Sequence, residues 1–123
     1  MNRVAIVTGS SGGIGSAVCK EFIRHGWDVV GVDISDSSLD LYRFEYADLS
    51  EVDAVSKLHD RLKDLQRVNA IVNNAAICIK KSVVETTDEE WQRTFDINVR
   101  SAFQMIRSFH HLLSLAKRSI VNV

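Results

Sequence analysis

Proline is absent from the 123 residues, although average usage of about 5% predicts roughly six, and composition offers no physical account of the gap. Cysteine is scarce, with Cys19 and Cys78 the only two. Two unpaired thiols in a domain of this size argue against a disulfide framework and fit a reducing, cytoplasmic setting. Charge of one sign is lacking as well. Fifteen Lys and Arg against sixteen Asp and Glu leave a net charge of −1, which argues against nucleic acid as a partner. No run approaches the ~20 apolar residues of a membrane span. Met1-Asn2-Arg3-Val4 leads straight into a short apolar strand, so no signal peptide is expected.

What is present is an ordinary balance of 46% apolar and 25% charged residues, which excludes intrinsic disorder. Surface scaling gives roughly 6,600 Å² accessible when folded, against roughly 20,000 Å² for the extended chain. Burying about two-thirds is enough for a real core, and the length suits one domain, 1–123.

The elements alternate. Val4-Ala5-Ile6-Val7 is β-branched and apolar on both faces, the pattern of a buried parallel strand. Ile14, Ala17, Val18 and Phe22 then recur at helical spacing, and Gly26 is the C-cap candidate of that helix. Val29, Val30 and Val32 form a second buried strand ending at Asp33. From Tyr42 to Ala47, Phe44 and Tyr46 alternate with Arg43 and Glu45, which suggests a strand with a more exposed face, an edge. Ser50 is the expected cap of a helix carrying Val52, Val55, Leu58, Leu62 and Leu65 on one stripe. Ala70-Ile71-Val72 is another apolar strand. Thr87 and Glu90 form a capping box, and the apolar spacing behind them carries a helix toward Lys117 unless it breaks. Ile120-Val121-Asn122-Val123 reads as a fifth strand. Strand and helix in alternation predict an α/β fold: a doubly wound parallel sheet of Rossmann type, with helices on both faces.

The run Thr8-Gly9-Ser10-Ser11-Gly12-Gly13-Ile14-Gly15 joins the first strand to the first helix. Ligands of open α/β sheets bind beyond the carboxyl ends of the strands. Glycines there permit positive φ and close backbone approach, and a helix start offers free N–H groups to a pyrophosphate. The competing reading is a glycine-rich turn with no ligand. No Gly-Lys-Ser/Thr follows, so a P-loop is excluded, and the G-x-G-x-x-G spacing fails at Val18. Asp33, at the end of the second strand, is placed to accept the hydroxyls of an adenosine ribose and to repel a 2′-phosphate. No basic side chain stands in the loop to pair with such a phosphate, and both facts favour NAD over NADP.

The spacing Thr8-Gly9-x-x-x-Gly13-x-Gly15 resembles the cofactor loop of the short-chain dehydrogenase/reductase family. Ala47-Asp48-Leu49-Ser50 resembles that family's Asp-Leu pair after the third strand. Asn73-Asn74-Ala75-Ala76 is similar to its Asn-Asn-Ala-Gly, with Ala76 in place of the glycine, and Asp96-Ile97-Asn98-Val99 to the segment with its active-site Asn. The resemblance implies strand order 3-2-1-4-5. It implies a cofactor site of Gly9, Ser11, Gly13, Ile14, Gly15, Asp33, Asp48, Leu49, Asn74, Ala75 and Ala76, and a catalytic role for Asn98. It covers this chain but only about the first half of the family's domain.

In that family the chemistry needs a Ser and a Tyr-x-x-x-Lys pair. Here Tyr42 and Tyr46 are followed four residues on by Tyr46 and Ser50, and the strand at 120–123 stops short of the expected Ser. The expectation is therefore an oxidoreductase by lineage whose 123 residues, truncated after the fifth strand, are inactive alone. The other reading is a stand-alone dinucleotide-binding module with a scaffolding or regulatory role. His110-His111 diverge by about 100° on a helix, so no metal site is expected there. A homodimer is expected, through the 87–117 helix and with the 119–123 strand edge as a further surface.

Overall fold

A computed structural model of the chain describes residues 1–115 and 117–123. The elements run β1 (Val4–Thr8), α1 (Gly13–Arg24), β2 (Asp28–Asp33), β3 (Arg43–Tyr46), α2 (Ala54–Arg61), β4 (Ala70–Asn73) and α3 (Asp88–Phe95). A π-helical segment (Asp96–Arg100), α4 (Ser101–Leu113) and β5 (Ser119–Asn122) complete the order. Every strand pair is parallel, and the sheet order is β3-β2-β1-β4-β5, as the family resemblance implied. β1 is central: Ile6 lies beside Val30 of β2 and Ile71 of β4.

The strands are apolar on both faces because both faces are covered. On one, Cys19 of α1 packs with Val7, Val29 and Val72, supported by Val18 and Phe22. On the other, Leu58 of α2 and Met105 and Phe109 of α4 pack on Ile6, Val30, Val32 and Ile71. Phe109, Met105, Leu58 and Ile6 are fully buried, each stabilising the fold by about 1.5–3 kcal/mol relative to exposure.

Local chemistry sets the helix ends. Gly26 has φ +77° and donates its N–H to the Ile23 carbonyl at 2.9 Å, closing α1 from the C′ position. Thr87 caps α3: its hydroxyl accepts the Glu90 N–H at 3.2 Å while the Glu90 carboxylate accepts the Thr87 N–H at 3.4 Å. Asp88, Glu89 and Glu90 fill that first turn, where the helix dipole favours negative charge.

Three expectations are corrected. Ser50 does not cap α2, which starts at Ala54; its hydroxyl and N–H instead donate to Asp48, and Val52 is exposed. The stripe is shorter than the periodicity suggested because Leu62 and Leu65 are buried from the turn beyond α2. The helix begun at Asp88 continues through a π-helical turn at Asp96–Arg100 into α4, with helical dihedrals at both junctions, and ends at Leu113 rather than near Lys117. Within β3 the charged residues are the sheltered ones. Glu45 and Arg43 side chains are only 15% and 26% exposed, paired with each other and with Arg61 and Asp64, while Tyr46 is exposed. β3 is an edge strand, and its charges face the end of α2 rather than water. β5 forms the other edge. All four of its residues are exposed, and Ile120, Val121 and Val123 stand uncovered.

Candidate functional site

The carboxyl ends of β1, β2 and β4, with the segments after them, surround a cleft of about 510 Å³, within the usual range for ligand pockets. Its lining includes Gly9, Gly13, Ile14, Gly15, Asp33, Asp48, Leu49, Asn74, Ala75 and Ala76, ten of the eleven residues expected from the sequence. The eleventh, Ser11, is not in the lining but ties it together, donating its N–H to Asp33 at 3.0 Å.

The turn after β1 can form only with glycine at two places. Gly9 takes φ +65°, and a Cβ on it would stand 2.8 Å from the Asn74 side-chain nitrogen. A Cβ on Gly15 would overlap the Gly9 carbonyl oxygen, with the Gly9 carbonyl carbon at 2.7 Å. The first turn of α1 is thus pressed directly on the turn after β1. Gly12, the N-cap, supplies no side chain, and among the described residues the N–H groups of Gly13, Ile14 and Gly15 have no partner. Those are the orphan donors of a helix start, aimed where the positive end of its dipole lies.

Thr8 and Asn74 brace this turn across the sheet. The Thr8 hydroxyl accepts the N–H groups of Asn74 and Ala75, both at 3.0 Å. The Asn74 amide nitrogen donates to the carbonyls of Thr8 and Gly9 at 3.2 and 3.3 Å. Asn74 therefore holds the glycine turn as well as lining the cleft. Thr8 opens the glycine motif in the sequence but was not among the expected site residues; its supporting role comes from these bonds across the sheet.

Asp33 is fixed by the backbone around it. Its Oδ1 accepts the N–H of Ile34 at 2.7 Å and of Ser35 at 3.1 Å, and Oδ2 accepts Ser11. A carboxylate offers about four lone-pair positions, so roughly one remains for a ligand. Asp48 is held differently. The Ser50 hydroxyl and N–H donate to it at 2.6 and 3.0 Å, and these bonds, with a smaller contribution from the Arg93 charge, keep its carboxyl below the usual range.

Asn98 sits apart from the cleft, in the π-helical segment, beside a second hollow that it shares with Asn73, Ala76, Asn122 and Val123. Both ends of its amide are engaged: Oδ1 accepts the Ile77 N–H and Nδ2 donates to the Ile77 carbonyl, each at 2.9 Å. The π-helical segment is anchored by Arg100, which pairs with Asp96 at 2.9 Å and donates to the Ser50 carbonyl at 2.9 Å. The structure brings the segments after β1, β2, β3 and β4 together around one cleft. It also adds Arg93 and Ile97 to the lining, neither of which the sequence reading placed there.

A family model described as short chain dehydrogenase matches residues 3–123. The chain is 32% identical to an uncharacterized oxidoreductase of Bacillus subtilis, over 98% of this chain and 50% of that one. It is 35% identical to an NADP-dependent (R)-specific alcohol dehydrogenase of Lentilactobacillus kefiri, over 82% of this chain and 44% of that one. Among solved structures, it superposes with a TM-score of 0.85 on a short-chain dehydrogenase/reductase of Brucella ovis in complex with a partially ordered NAD. That similarity is at 27% identity and covers 99% of this chain and 62% of the other. The chain spans about half the length of the curated relatives it matches. With the glycine turn, the braced cleft and the sheet order in agreement with these matches, the chain belongs to the short-chain dehydrogenase family.

Proposed function

We propose that residues 1–123 are the cofactor-binding unit of an NAD-preferring oxidoreductase. The residues present fit an adenine dinucleotide: a turn with no room for a Cβ at Gly9 or Gly15, three unpartnered N–H groups at the start of α1, and open space in front of Gly13. The N–H groups of Gly13, Ile14 and Gly15 bind the pyrophosphate, Asp33 takes a ribose hydroxyl, and Asp48, Leu49, Asn74, Ala75 and Ala76 complete the walls. The bound cofactor supplies a nicotinamide ring that accepts or gives up a hydride. Asn98, clamped to Ile77, holds the segment after β4 at the end of the cleft where such a ring would project. The 123 residues contain no Tyr-x-x-x-Lys pair, so they hold and orient the cofactor without moving the substrate proton. The matched relatives are oxidoreductases and dehydrogenases by description, which supports an enzymatic lineage over a scaffolding module.

The observation that carries the cofactor preference is Asp33, pinned by three N–H groups at the rim of the cleft. The relatives include a user of NADP and a structure holding NAD, so lineage does not decide between them. A 2′-phosphate beside Asp33 meets a like charge, at a cost of about 1–3 kcal/mol, roughly five- to 150-fold in affinity. Titration calorimetry with NAD and NADP tests this. NAD is expected to bind more tightly, and Asp33→Asn to narrow the gap; equal or tighter NADP binding by the unaltered chain refutes it.

The accessible surface is 7376 Å², roughly 700 Å² above that expected for a monomer of this size. Trp91, Phe95, Val99 and Phe103 are exposed along α3, the π-helical segment and the start of α4, and Ile120, Val121 and Val123 along β5. These two surfaces support a homodimer formed through the 87–117 region, with the 119–123 edge as a second contact. Two free thiols support a reducing cytoplasmic setting, and no described helix is long and apolar enough to cross a membrane.

A further inference from the structure

Arg93 of α3 is exposed; like Arg3 and Arg107 it makes no hydrogen bond or ion pair among the described residues, and its place in the main cleft is what sets it apart. The guanidinium groups of Arg24, Arg43, Arg61, Arg67 and Arg100 each have such a partner. Partners are near at hand. Asp88, Glu89 and Asp96 surround the same shallow hollow on α3, but Asp96 is taken by Gln92 and Arg100. Glu90, in the same helix, is taken by Lys81. Arg93 is instead the one basic side chain in the lining of the main cleft, which otherwise carries Asp33 and Asp48.

Its place in that cleft is at the β3 end. Its charge reaches Asp48, adding to the effect of Ser50. Leu49 and Ile97, both nearly buried, supply apolar lining beside it. β3 is two strands away from β1, or roughly 10 Å at the spacing of neighbouring strands. Arg93 is thus remote from the N–H groups at the start of α1 that serve the pyrophosphate. A guanidinium next to apolar lining, with its donors unused, suits an aromatic ring with polar edges: its plane stacks on the ring and its fork donates to ring nitrogens.

We propose that Arg93 is a base-contacting residue, holding the purine of a bound adenine dinucleotide and setting affinity for the adenosine end. The assignment rests on the dinucleotide reading above and goes beyond it by naming a residue for the base. The test is calorimetric titration of NAD and ADP-ribose into the unaltered chain, Arg93→Gln and Arg93→Lys, with thermal melts as a control of folding. Arg93 is exposed and unpartnered, so neither variant should lower the melting temperature appreciably. Arg93→Gln is expected to weaken NAD and ADP-ribose alike by roughly tenfold, and Arg93→Lys, which keeps the charge but loses the plane, to recover only part of this. Unchanged binding of ADP-ribose by Arg93→Gln overturns the assignment while leaving the dinucleotide reading in place. Full recovery by Arg93→Lys overturns it in favour of a phosphate contact. Failure of the unaltered chain to bind either ligand refutes both readings together.

Discussion

A pair of glycine substitutions separates what the turn after β1 does for folding from what it does for binding. In Gly15→Ala the new methyl overlaps the Gly9 carbonyl oxygen, stands 2.7 Å from the Gly9 carbonyl carbon and 2.8 Å from the Asn74 amide nitrogen. Ordinary contact begins near 3.4 Å, so the backbone must part by at least about 0.7 Å. Overpacking in a core usually costs about 1–3 kcal/mol, and close-packed interiors yield little. Here two of the obstacles are backbone atoms of Gly9, and Gly9 is itself braced by Asn74 at φ +65°. The cost therefore belongs at the upper end, about 3 kcal/mol. For a chain of this length that lowers the melting temperature by roughly 10–15 °C. In Gly13→Ala the methyl meets nothing within 4 Å and points into open space. Alanine at the first helical position is favourable by up to about 1 kcal/mol, so the melting temperature should hold or rise. Cofactor affinity should nevertheless fall, because the methyl stands where the pyrophosphate must approach. Differential scanning calorimetry of both variants, with NAD titrations on Gly13→Ala, decides the matter. A Gly15→Ala protein that melts with the unaltered chain would refute the packing argument. A Gly13→Ala protein that binds NAD normally would refute the placement of the pyrophosphate.

The Asp48 carboxyl is held low by Ser50, so its contribution to stability is present above the unfolded value near pH 4 and is lost as pH falls through the folded value. Asp48→Asn should flatten the acid limb of the stability curve below about pH 4 in urea melts; an unchanged limb would mean that the Ser50 bonds do not persist in solution. Burial pushes the Cys19 thiol up to about 11, whereas Cys78 is exposed. A thiol reagent at pH 8 should therefore titrate one cysteine rapidly and the second only after unfolding, and two fast thiols would contradict the packing of α1. Sedimentation across a dilution series should show a dimer; a monomer persisting at high micromolar concentration argues that the exposed α3–α4 face and β5 edge are tolerated uncovered. The isolated chain should turn over no alcohol or ketone with NAD, and robust turnover would show that another group replaces the Tyr-x-x-x-Lys pair.

The sheet and the glycine turn were legible in the sequence because their causes are local. Valine and isoleucine on both faces of a short strand, followed by a glycine run and a helical period, permit few arrangements, and β1, β2 and β4 appear where that pattern set them. The capping box at Thr87 was legible for the same reason, since its two hydrogen bonds join residues three apart. What the periodicity missed was decided across the sheet. Apolar spacing ran unbroken through Asp96–Arg100, yet the segment widens into a π-helical turn there, with Asn98 held by Ile77 and Arg100 by Ser50, residues 21 and 50 positions away. Ser50 looked like a helix cap until Asp48 claimed its donors, and the charged face of β3 turned toward α2 because Arg61 and Asp64 wait there. Arg93 reads as one more surface charge on an acidic helix, and only the approach of α3 to the end of β3 brings it into the cleft beside Asp48. Residues that act through their neighbours in the chain announce themselves in the sequence; those that act through distant partners acquire their roles only when folding brings those partners within hydrogen-bond and charge range.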